Sequence, residues 1–251
     1  MSWLQWVQHH DEVESTMQVA LQAAESGAPA GTTIVAKSQR AGRGRRGRSW
    51  YSPPGGGLWM TTLLYPDPTR PAHTLSLVAG GAIWAALRQL GYTEAKLKWP
   101  NDVEARDRKL AGILLECTSL KNQPNQSVIL MGIGLNLAPA ETLELPEDIK
   151  ERYIGLGDLL EDVPYERVLE SVVSELERAT HAWQRDGLEP TFALWDEADA
   201  LAGERVRAAG PDGPIEGIAR GLGPEGQLKL QTADAEILID AGEVTRVRKE
   251  A

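Results

Sequence analysis

The sequence has very little cysteine and no long apolar run. A single cysteine among 251 residues, Cys117, excludes any intrachain disulfide framework. No apolar run approaches the ~20 residues that a membrane-spanning helix needs. The chain opens with the polar sequence Met1–Gln5, which is neither basic nor apolar as an export leader would be. These absences favour a cytoplasmic protein that does not enter a membrane.

The sequence also lacks the spacings that mark common metal and nucleophile sites. Its histidines and its cysteine are too scattered for a structural zinc site, at positions His9, His10, His73, Cys117 and His181. No serine or cysteine can be assigned a base and an orienting residue from the pattern. Neither a zinc protein nor a triad hydrolase is therefore indicated.

Positive charge is scarce overall and concentrated in one stretch. The chain carries a net charge of −10, yet six cationic residues fall within positions 37–48 without one acidic residue. Interspersed glycines allow backbone amides to approach a ligand closely. A cation cluster on an acidic protein favours a small anionic ligand over a long nucleic acid. Because like charges repel, we expect this loop to be mobile until an anion binds.

Predicted strands at 32–36 and 58–64 flank the basic loop, since both segments are rich in β-branched and apolar residues. Residues 3–7 alternate as a short strand would, and Ser15 offers a helix N-cap. Residues 102–109 are predicted to form a tight connection, and 149–160 a helix. The combination indicates a mixed sheet with helices against it.

The pattern changes near Gly203 to short alternating strands separated by turn sequences such as Pro211–Pro214 and Gly223–Gly226. Some fifty residues of this kind predict a small β-barrel. The whole is therefore predicted to be α+β, with a catalytic domain at 1–201 and a β domain at 202–251.

The basic loop matches the dinucleotide-binding pattern at Gly42, Gly44 and Gly47, but the context excludes that interpretation. The fingerprint requires a helix directly after the strand, whereas four arginines and the Ser-Pro-Pro-Gly-Gly-Gly tract at 52–57 follow here. An RGG-like nucleic-acid-binding segment is a second interpretation. Its position between two core strands argues against it.

Three further motifs each allow an ordinary structural interpretation. Lys98–Asp102 places a cation, an aromatic ring and two polar side chains at a strand end, but Pro-Asn-Asp is also a good turn. Lys109 precedes an apolar strand, where most lysines are simply solvated. Gly132–Asn136 ends a strand with glycines that suit a bulge or close packing.

Together these motifs are far more specific than any one of them. The segments Gly42–Trp50, Lys98–Asp102, Arg108–Ile113 and Gly132–Asn136, with Glu14-Ser15-Thr16 near the start, resemble the biotin protein ligases in order and separation. The resemblance covers nearly the whole chain. It implies a mixed-sheet catalytic domain of the class II aminoacyl-tRNA synthetase and biotin ligase type, followed by a small SH3-like domain.

The resemblance implies an enzyme that activates biotin with ATP and holds biotinyl-5′-adenylate. The biotinyl group then passes to one lysine of a biotin carboxyl carrier protein, with no covalent enzyme intermediate. Such an enzyme must align two anions and stabilise the charge that develops between them. Arginine suits this task because its planar fork binds carboxylate or phosphate oxygens in a bidentate manner.

The resemblance also assigns residues to these tasks. The implied biotin-binding residues are Ser15, Thr16, Met17, Gln39, Arg43, Gly44, Arg45, Lys109, Gly112 and Leu114. The implied ATP and adenylate residues are Arg43, Arg45, Arg46, Arg48, Trp50, Asn101, Lys109 and Asn136. Arg45 and Lys109 are the implied catalytic cations, and Asp102 the group that takes a proton from the acceptor lysine. Met17 stands where many relatives have asparagine, so its side-chain contact stays open, although a backbone contact could survive.

The resemblance leaves several points open. Mg²⁺ would be held mainly by ATP phosphates, and its protein ligands are unknown. Because the ligase pattern starts at the first residues, neither a DNA-binding domain nor repressor activity is expected. In some relatives a C-terminal arginine reaches toward the nucleotide, and whether Arg246, Arg248 or neither does so here stays open, as does a homodimer. A lipoate or octanoate ligase on the same fold is the nearest alternative, and a nucleic-acid-binding module is the alternative from another class.

Overall fold

A seven-stranded mixed sheet carries the larger part of the chain in the computed structural model, which describes residues 2–210 and 213–247. Its strands are β1 Val7–Val13, β2 Thr33–Gln39, β3 Gly57–Leu64, β4 Lys96–Lys98, β5 Asp102–Ala105, β6 Arg108–Leu120 and β7 Gln123–Asn136. They lie in the order β1-β2-β3-β7-β6-β5-β4. Strands β1 and β2 are parallel, and the other neighbours are antiparallel.

Helices cover both faces of this sheet. Helix α1 (Thr16–Glu25) packs on one face, where Met17 and Ala20 join a small apolar cluster. The opposite face carries the main core under α2 Leu75–Gln89, α4 Tyr165–Asp186 and α5 Glu189–Ala198, while α3 spans only Glu147–Lys150. Strand β3 is buried along its whole length because both faces of the sheet are covered at its centre.

A second sheet of five antiparallel strands forms the C-terminal module. Its strands are β8 Arg205–Gly210, β9 Gly213–Leu222, β10 Leu228–Gln231, β11 Glu236–Ile239 and β12 Val244–Arg246, in the order β11-β10-β9-β8-β12. The indole of Trp99 donates a 2.9 Å hydrogen bond to the carbonyl of Gly226, which joins the module to the larger domain. The predicted α+β class with a C-terminal β module is confirmed.

The predicted boundary at 201–202 falls in the turn between α5 and β8 and stays a prediction. Residues 211, 212 and 248, which belong to a predicted turn and to a nucleotide-binding alternative, lie outside the described residues. Within 2–210 and 213–247, none of the helices combines the length and apolarity needed to cross a bilayer.

Three local predictions are wrong. Residues Trp3–Trp6 form a 3-10 turn, because the Trp3 side chain is buried and the backbone N–H of Trp3 donates to Glu177 Oε2 at 3.1 Å. The predicted connection at 102–109 begins with strand β5 and turns only at residues 106 and 107, which take positive φ. The predicted helix at 149–160 is reduced to the end of α3 and a 3-10 turn at Leu156–Asp158.

Between α3 and this 3-10 turn, the chain around Tyr153 is extended because it pairs with Lys109. The N–H of Lys109 binds the carbonyl of Arg152 at 2.6 Å, and the N–H of Ile154 binds the carbonyl of Lys109 at 3.3 Å. A β-carbon at Gly155 would lie 1.9 Å from the carbonyl oxygen of Ala138, so this stretch accepts only glycine at that point. Tertiary pairing has overridden the helical spacing of the apolar residues.

Candidate active site

One cleft of about 460 Å³ lies between the ends of the central strands, the basic loop and the turn before β12. Every residue to which the sequence assigned a site role lines this cleft. These residues are Ser15, Thr16, Met17, Gln39, Arg43, Gly44, Arg45, Arg46, Arg48, Trp50, Asn101, Asp102, Lys109, Gly112, Leu114 and Asn136. Their individual roles stay predictions.

The basic loop is a tight antiparallel excursion between β2 and β3. At its base, the N–H of Gln39 binds the carbonyl of Ser52 at 3.1 Å, and the N–H of Trp50 binds the carbonyl of Gly42 at 2.8 Å. At its tip, Arg46 has φ 57° and Gly47 φ 73°. This left-handed backbone is where glycine is favoured and where a non-glycine residue requires local support.

Two arginines of the loop contact acceptors on the larger domain. Arg43 Nη1 lies 3.2 Å from Glu116 Oε1 on β6. Arg45 Nη1 donates a 2.7 Å hydrogen bond to Asn101 Oδ1. Burial lowers the pKa of Arg45, although Asp102 acts in the opposite direction. Because desolvated guanidinium groups bind anions strongly, Arg45 is well placed to bind an anion in the cleft.

The other two arginines contact the C-terminal module. Arg46 Nη1 lies 3.6 Å from Glu243 Oε2, and Arg48 forms a close ion pair with the other oxygen of the same carboxylate. The loop therefore bridges the larger domain and the turn before β12.

Lys109 and Asp102 form an ion pair inside the cleft. Lys109 Nζ lies 2.8 Å from Asp102 Oδ1, outside hydrogen-bond geometry, and 5.0 Å from the centre of the Trp50 ring. Asn136 holds the backbone at this point, since its Nδ2 donates to the carbonyls of Lys109 at 3.0 Å and Ile154 at 3.2 Å. The amide of Asn136 thus orients the strand that carries Lys109.

Two glycines form a flat floor under the indole of Trp50. A β-carbon at Gly134 would lie 2.3 Å from Trp50 Cε2, and one at Gly112 would lie 2.8 Å from Trp50 Cζ3. The two glycines are neighbours across β6 and β7. For Gly134 the ordinary interpretation of close packing is correct, and the packing partner is Trp50.

Polar side chains converge at the start of α1. Gln39 Oε1 accepts from the N–H of Thr16 at 2.9 Å and from its hydroxyl at 3.0 Å, while Gln39 Nε2 donates to Ser52 Oγ at 2.9 Å. Ser15 occupies the predicted N-cap position, but its hydroxyl makes no capping bond. Its buried Oγ has no hydrogen-bond partner among the described residues. A buried hydroxyl of this kind is suited to a polar ligand group.

The sequence did not identify Glu104, a buried carboxylate that lines the cleft and is 5% exposed. Its oxygens bind Lys98 Nζ at 2.6 Å and Arg246 Nη2 at 2.9 Å. Arg246 also donates to the carbonyl of Ala200 at 3.0 Å. Of the two arginines left open by the sequence, Arg246 is thus engaged by the catalytic domain. The sequence signal that could have identified Glu104 is an acidic residue between the apolar residues Val103 and Ala105.

Tyr153 is a second cleft residue that the sequence did not identify. Its hydroxyl donates a 2.9 Å hydrogen bond to the carbonyl of Ala138, and burial raises its pKa. Within the described ranges no group of three or more His, Cys, Asp or Glu side chains is placed to hold a metal ion.

A mixed-sheet domain, a cleft lined by several cations and a C-terminal β module define the class of protein. Sequence comparison agrees: the profile of the biotin/lipoate A/B protein ligase family matches residues 11–136, and that of the biotin protein ligase C-terminal domain matches 202–246. The chain belongs to this family, and within it to the biotin protein ligases.

Individual relatives resemble the chain over most of its length. It is 31% identical to a bifunctional ligase/repressor of Bacillus subtilis over 89% of this chain and 69% of that protein. It is 34% identical to a biotin–[acetyl-CoA-carboxylase] ligase of Mycobacterium tuberculosis over 93% of this chain and 86% of that protein. A biotin protein ligase of Aquifex aeolicus, solved with biotin and ATP, is 29% identical, has a TM-score of 0.84, and aligns over 96% of this chain and 99% of its own.

Proposed function

We propose that the protein activates biotin with ATP and transfers the biotinyl group to a lysine of a biotin carboxyl carrier protein. In the first step a carboxylate oxygen of biotin attacks the α-phosphorus, and pyrophosphate leaves. In the second step the lysine amine attacks the acyl carbon of biotinyl-5′-adenylate, and AMP leaves. The observation that carries this proposal is the convergence of the basic loop, Asn101, Asp102 and Lys109 in one cleft.

The cations of the cleft are assigned to the two reacting anions. Arg43, Arg45 and Lys109 hold the biotin carboxylate and the α-phosphate, and they stabilise the charge that develops between them. Arg46 and Arg48 bind the remaining ATP phosphates. Each charge-assisted hydrogen bond contributes about 1.5–3 kcal/mol.

Adenine is assigned to the region of Trp50 and Asn136. The indole supplies a flat apolar surface. Because Asn136 Nδ2 already donates to two carbonyls, its Oδ1 is the atom left to accept a hydrogen bond from the adenine amino group.

The polar cluster at the start of α1 favours biotin over lipoate. The ureido ring of biotin can hydrogen-bond to Ser15, Thr16 and Gln39, with Met17, Gly112 and Leu114 as the adjoining apolar wall. A lipoyl dithiolane ring has no such donors and would leave the buried hydroxyl of Ser15 without a partner. A site built to hydrogen-bond its substrate rejects an analogue that lacks the hydrogen-bonding groups.

Asp102 is assigned to the second step, in which it accepts a proton from the incoming lysine amine. Mg²⁺ fits as an ion carried by the ATP phosphates and water, because each carboxylate that lines the cleft is paired with a cation. These carboxylates are Asp102, Glu104, Asp107 and Glu243. Bound there, Mg²⁺ would neutralise phosphate charge. A cytoplasmic location belongs to the same proposal.

The direct test is to incubate the purified protein with biotin, ATP, Mg²⁺ and a biotin carboxyl carrier domain, and to measure the intact mass of the carrier. We expect one biotinyl group on the acceptor lysine and none on a carrier with that lysine changed to arginine. An unmodified carrier, or modification with lipoate at a comparable rate, would contradict the proposal.

A further inference from the structure

Glu243 is the point at which the basic loop meets the C-terminal module. Its carboxylate pairs with Arg46 through one oxygen and with Arg48 through the other. The preceding carbonyl, of Gly242, accepts a 3.4 Å hydrogen bond from Arg45 Nη2. Three contacts thus join the tip of the loop to the turn before β12 in the C-terminal module.

These contacts close one side of the cleft. The base of the loop is fixed to the larger domain, because the N–H groups of Arg40 and Ala41 bind the carbonyls of Val13 at 3.0 Å and Glu14 at 2.8 Å. The tip of the loop instead reaches residues 242 and 243, which also line the cleft. Moving the tip away from Glu243 would open the cleft without breaking the base of the loop.

Pairing with Glu243 leaves both arginines able to bind phosphate. A guanidinium group has five N–H donors in a fixed plane, and one carboxylate oxygen occupies only part of them. Arg46 and Arg48 are also 52% and 55% exposed, so their remaining donors stay accessible. Glu243 therefore orients these two side chains and leaves them donors with which to bind the nucleotide phosphates.

We propose that Glu243 is a positioning residue that, through Arg46 and Arg48, holds the basic loop closed over the cleft. Nothing in the proposed function assigns a task to this residue. The inference rests on that function in one respect only, since the retained species is biotinyl-5′-adenylate. A mixed anhydride is lost if water reaches it or if it leaves the cleft.

The first experiment needs no ligand. Tryptic cleavage within Arg43–Arg48 is measured by fragment mass for the wild type, Glu243→Gln, Glu243→Asp and the control Glu236→Gln, which removes one exposed carboxylate of the same module. Because Glu243→Gln removes two exposed ion pairs, we expect tryptic cleavage of the loop to be about three- to tenfold faster in this variant. Glu243→Asp should recover part of the protection, and the control should match the wild type. Equal cleavage of wild type and Glu243→Gln would overturn the proposal.

The second experiment measures how fast preformed biotinyl-5′-adenylate is released or hydrolysed without a carrier. We expect a loss about three- to tenfold faster in Glu243→Gln, with KM for ATP much less affected. Because salt screens exposed charges, the wild-type rate should rise with ionic strength toward that of the variant. A lower KM for ATP with unchanged loss of adenylate would overturn the proposal, because Glu243 would then merely compete with phosphate.

The two readouts separate this proposal from the proposed function. If the wild type forms no biotinyl-5′-adenylate, the proposed function is wrong, and the cleavage experiment still decides whether Glu243 holds the loop. If cleavage accelerates but adenylate loss does not, Glu243 holds the loop, but the proposal that this contact retains biotinyl-5′-adenylate is contradicted.

Discussion

Lys109 Nζ lies 2.8 Å from Asp102 Oδ1, with the two side chains 31% and 23% exposed. The pair stands on the β5–β6 hairpin, where Asp102 faces Gly112 and Glu104 faces Lys109. In the proposed reaction these groups serve different steps, Lys109 holding carboxylate and phosphate and Asp102 accepting a proton from the acceptor lysine. Before substrates bind, each one balances the charge of the other. An anion that draws Lys109 away leaves the Asp102 carboxylate available to the incoming amine.

Lys109→Ala is expected to abolish most adenylate formation while the fold is retained. Removing a preorganised positive group from a developing charge costs about 10²-fold or more in rate. The measurement is single-turnover formation of biotinyl-5′-adenylate, with circular dichroism to monitor the fold. Lys96→Ala, an exposed lysine of β4, is the control. Formation of the adenylate at the wild-type rate in Lys109→Ala would remove this lysine from the mechanism.

Asp102→Asn is expected to slow transfer more than activation. The substitution keeps the shape of the side chain but removes the proton acceptor, and loss of a general base typically costs about 10²–10⁴-fold. Transfer from preformed adenylate to the carrier and formation of the adenylate are measured separately. Asp234→Asn, which removes an exposed carboxylate outside the cleft, is the control. Equal loss in both steps would indicate that Asp102 only positions Lys109.

Gly134→Ala is expected to destabilise the protein by about 1–3 kcal/mol, because its β-carbon would overlap the indole of Trp50. A rigid ring above a strand backbone cannot yield as a flexible chain would. The test is a double-mutant cycle of urea unfolding with Trp50→Ala. In the Trp50→Ala background the cost of Gly134→Ala should nearly vanish. The same cost in both backgrounds would show that the floor is not shaped for Trp50.

The sequence predicted which residues meet in one cleft better than it predicted the connections, and the roles of those residues stay predictions. The basic loop, Lys98–Asp102 and Lys109 each concentrate unusual chemistry within a few positions, so a resemblance could assign them, and all line the cleft. Long-range pairing was not predictable in the same way. Residues 152–154 pair with Lys109 instead of forming a helix. The ion pairs of Glu104 with Arg246 and of Glu243 with Arg48 join residues more than a hundred positions apart.

Asp199→Asn is expected to stabilise the protein increasingly as pH rises. Burial raises the pKa of Asp199 above 3.8, and Asp196 raises it further, while the N–H of Leu201, Arg246 and Lys96 act in the opposite direction. The folded state therefore binds the proton more tightly than the unfolded state. Wild-type stability consequently falls as pH rises from the ordinary pKa through the raised one.

Asparagine removes this penalty and can still accept the 2.8 Å hydrogen bond from Leu201. The difference in unfolding free energy between Asp199→Asn and wild type should grow upward from pH 4 and then level off. Asp234→Asn, which removes an exposed carboxylate, is the control. A difference that shrinks as pH rises would contradict the assigned sign.

The central claim is that this cleft joins a biotin carboxylate to the α-phosphate of ATP. Isotope exchange between pyrophosphate and ATP tests it most directly, because exchange requires reversible formation of the acyl-adenylate and no carrier protein. We expect exchange that depends on biotin, is lost in Lys109→Ala and is not supported by lipoate. Absence of exchange with biotin, or equal exchange with lipoate, would contradict it.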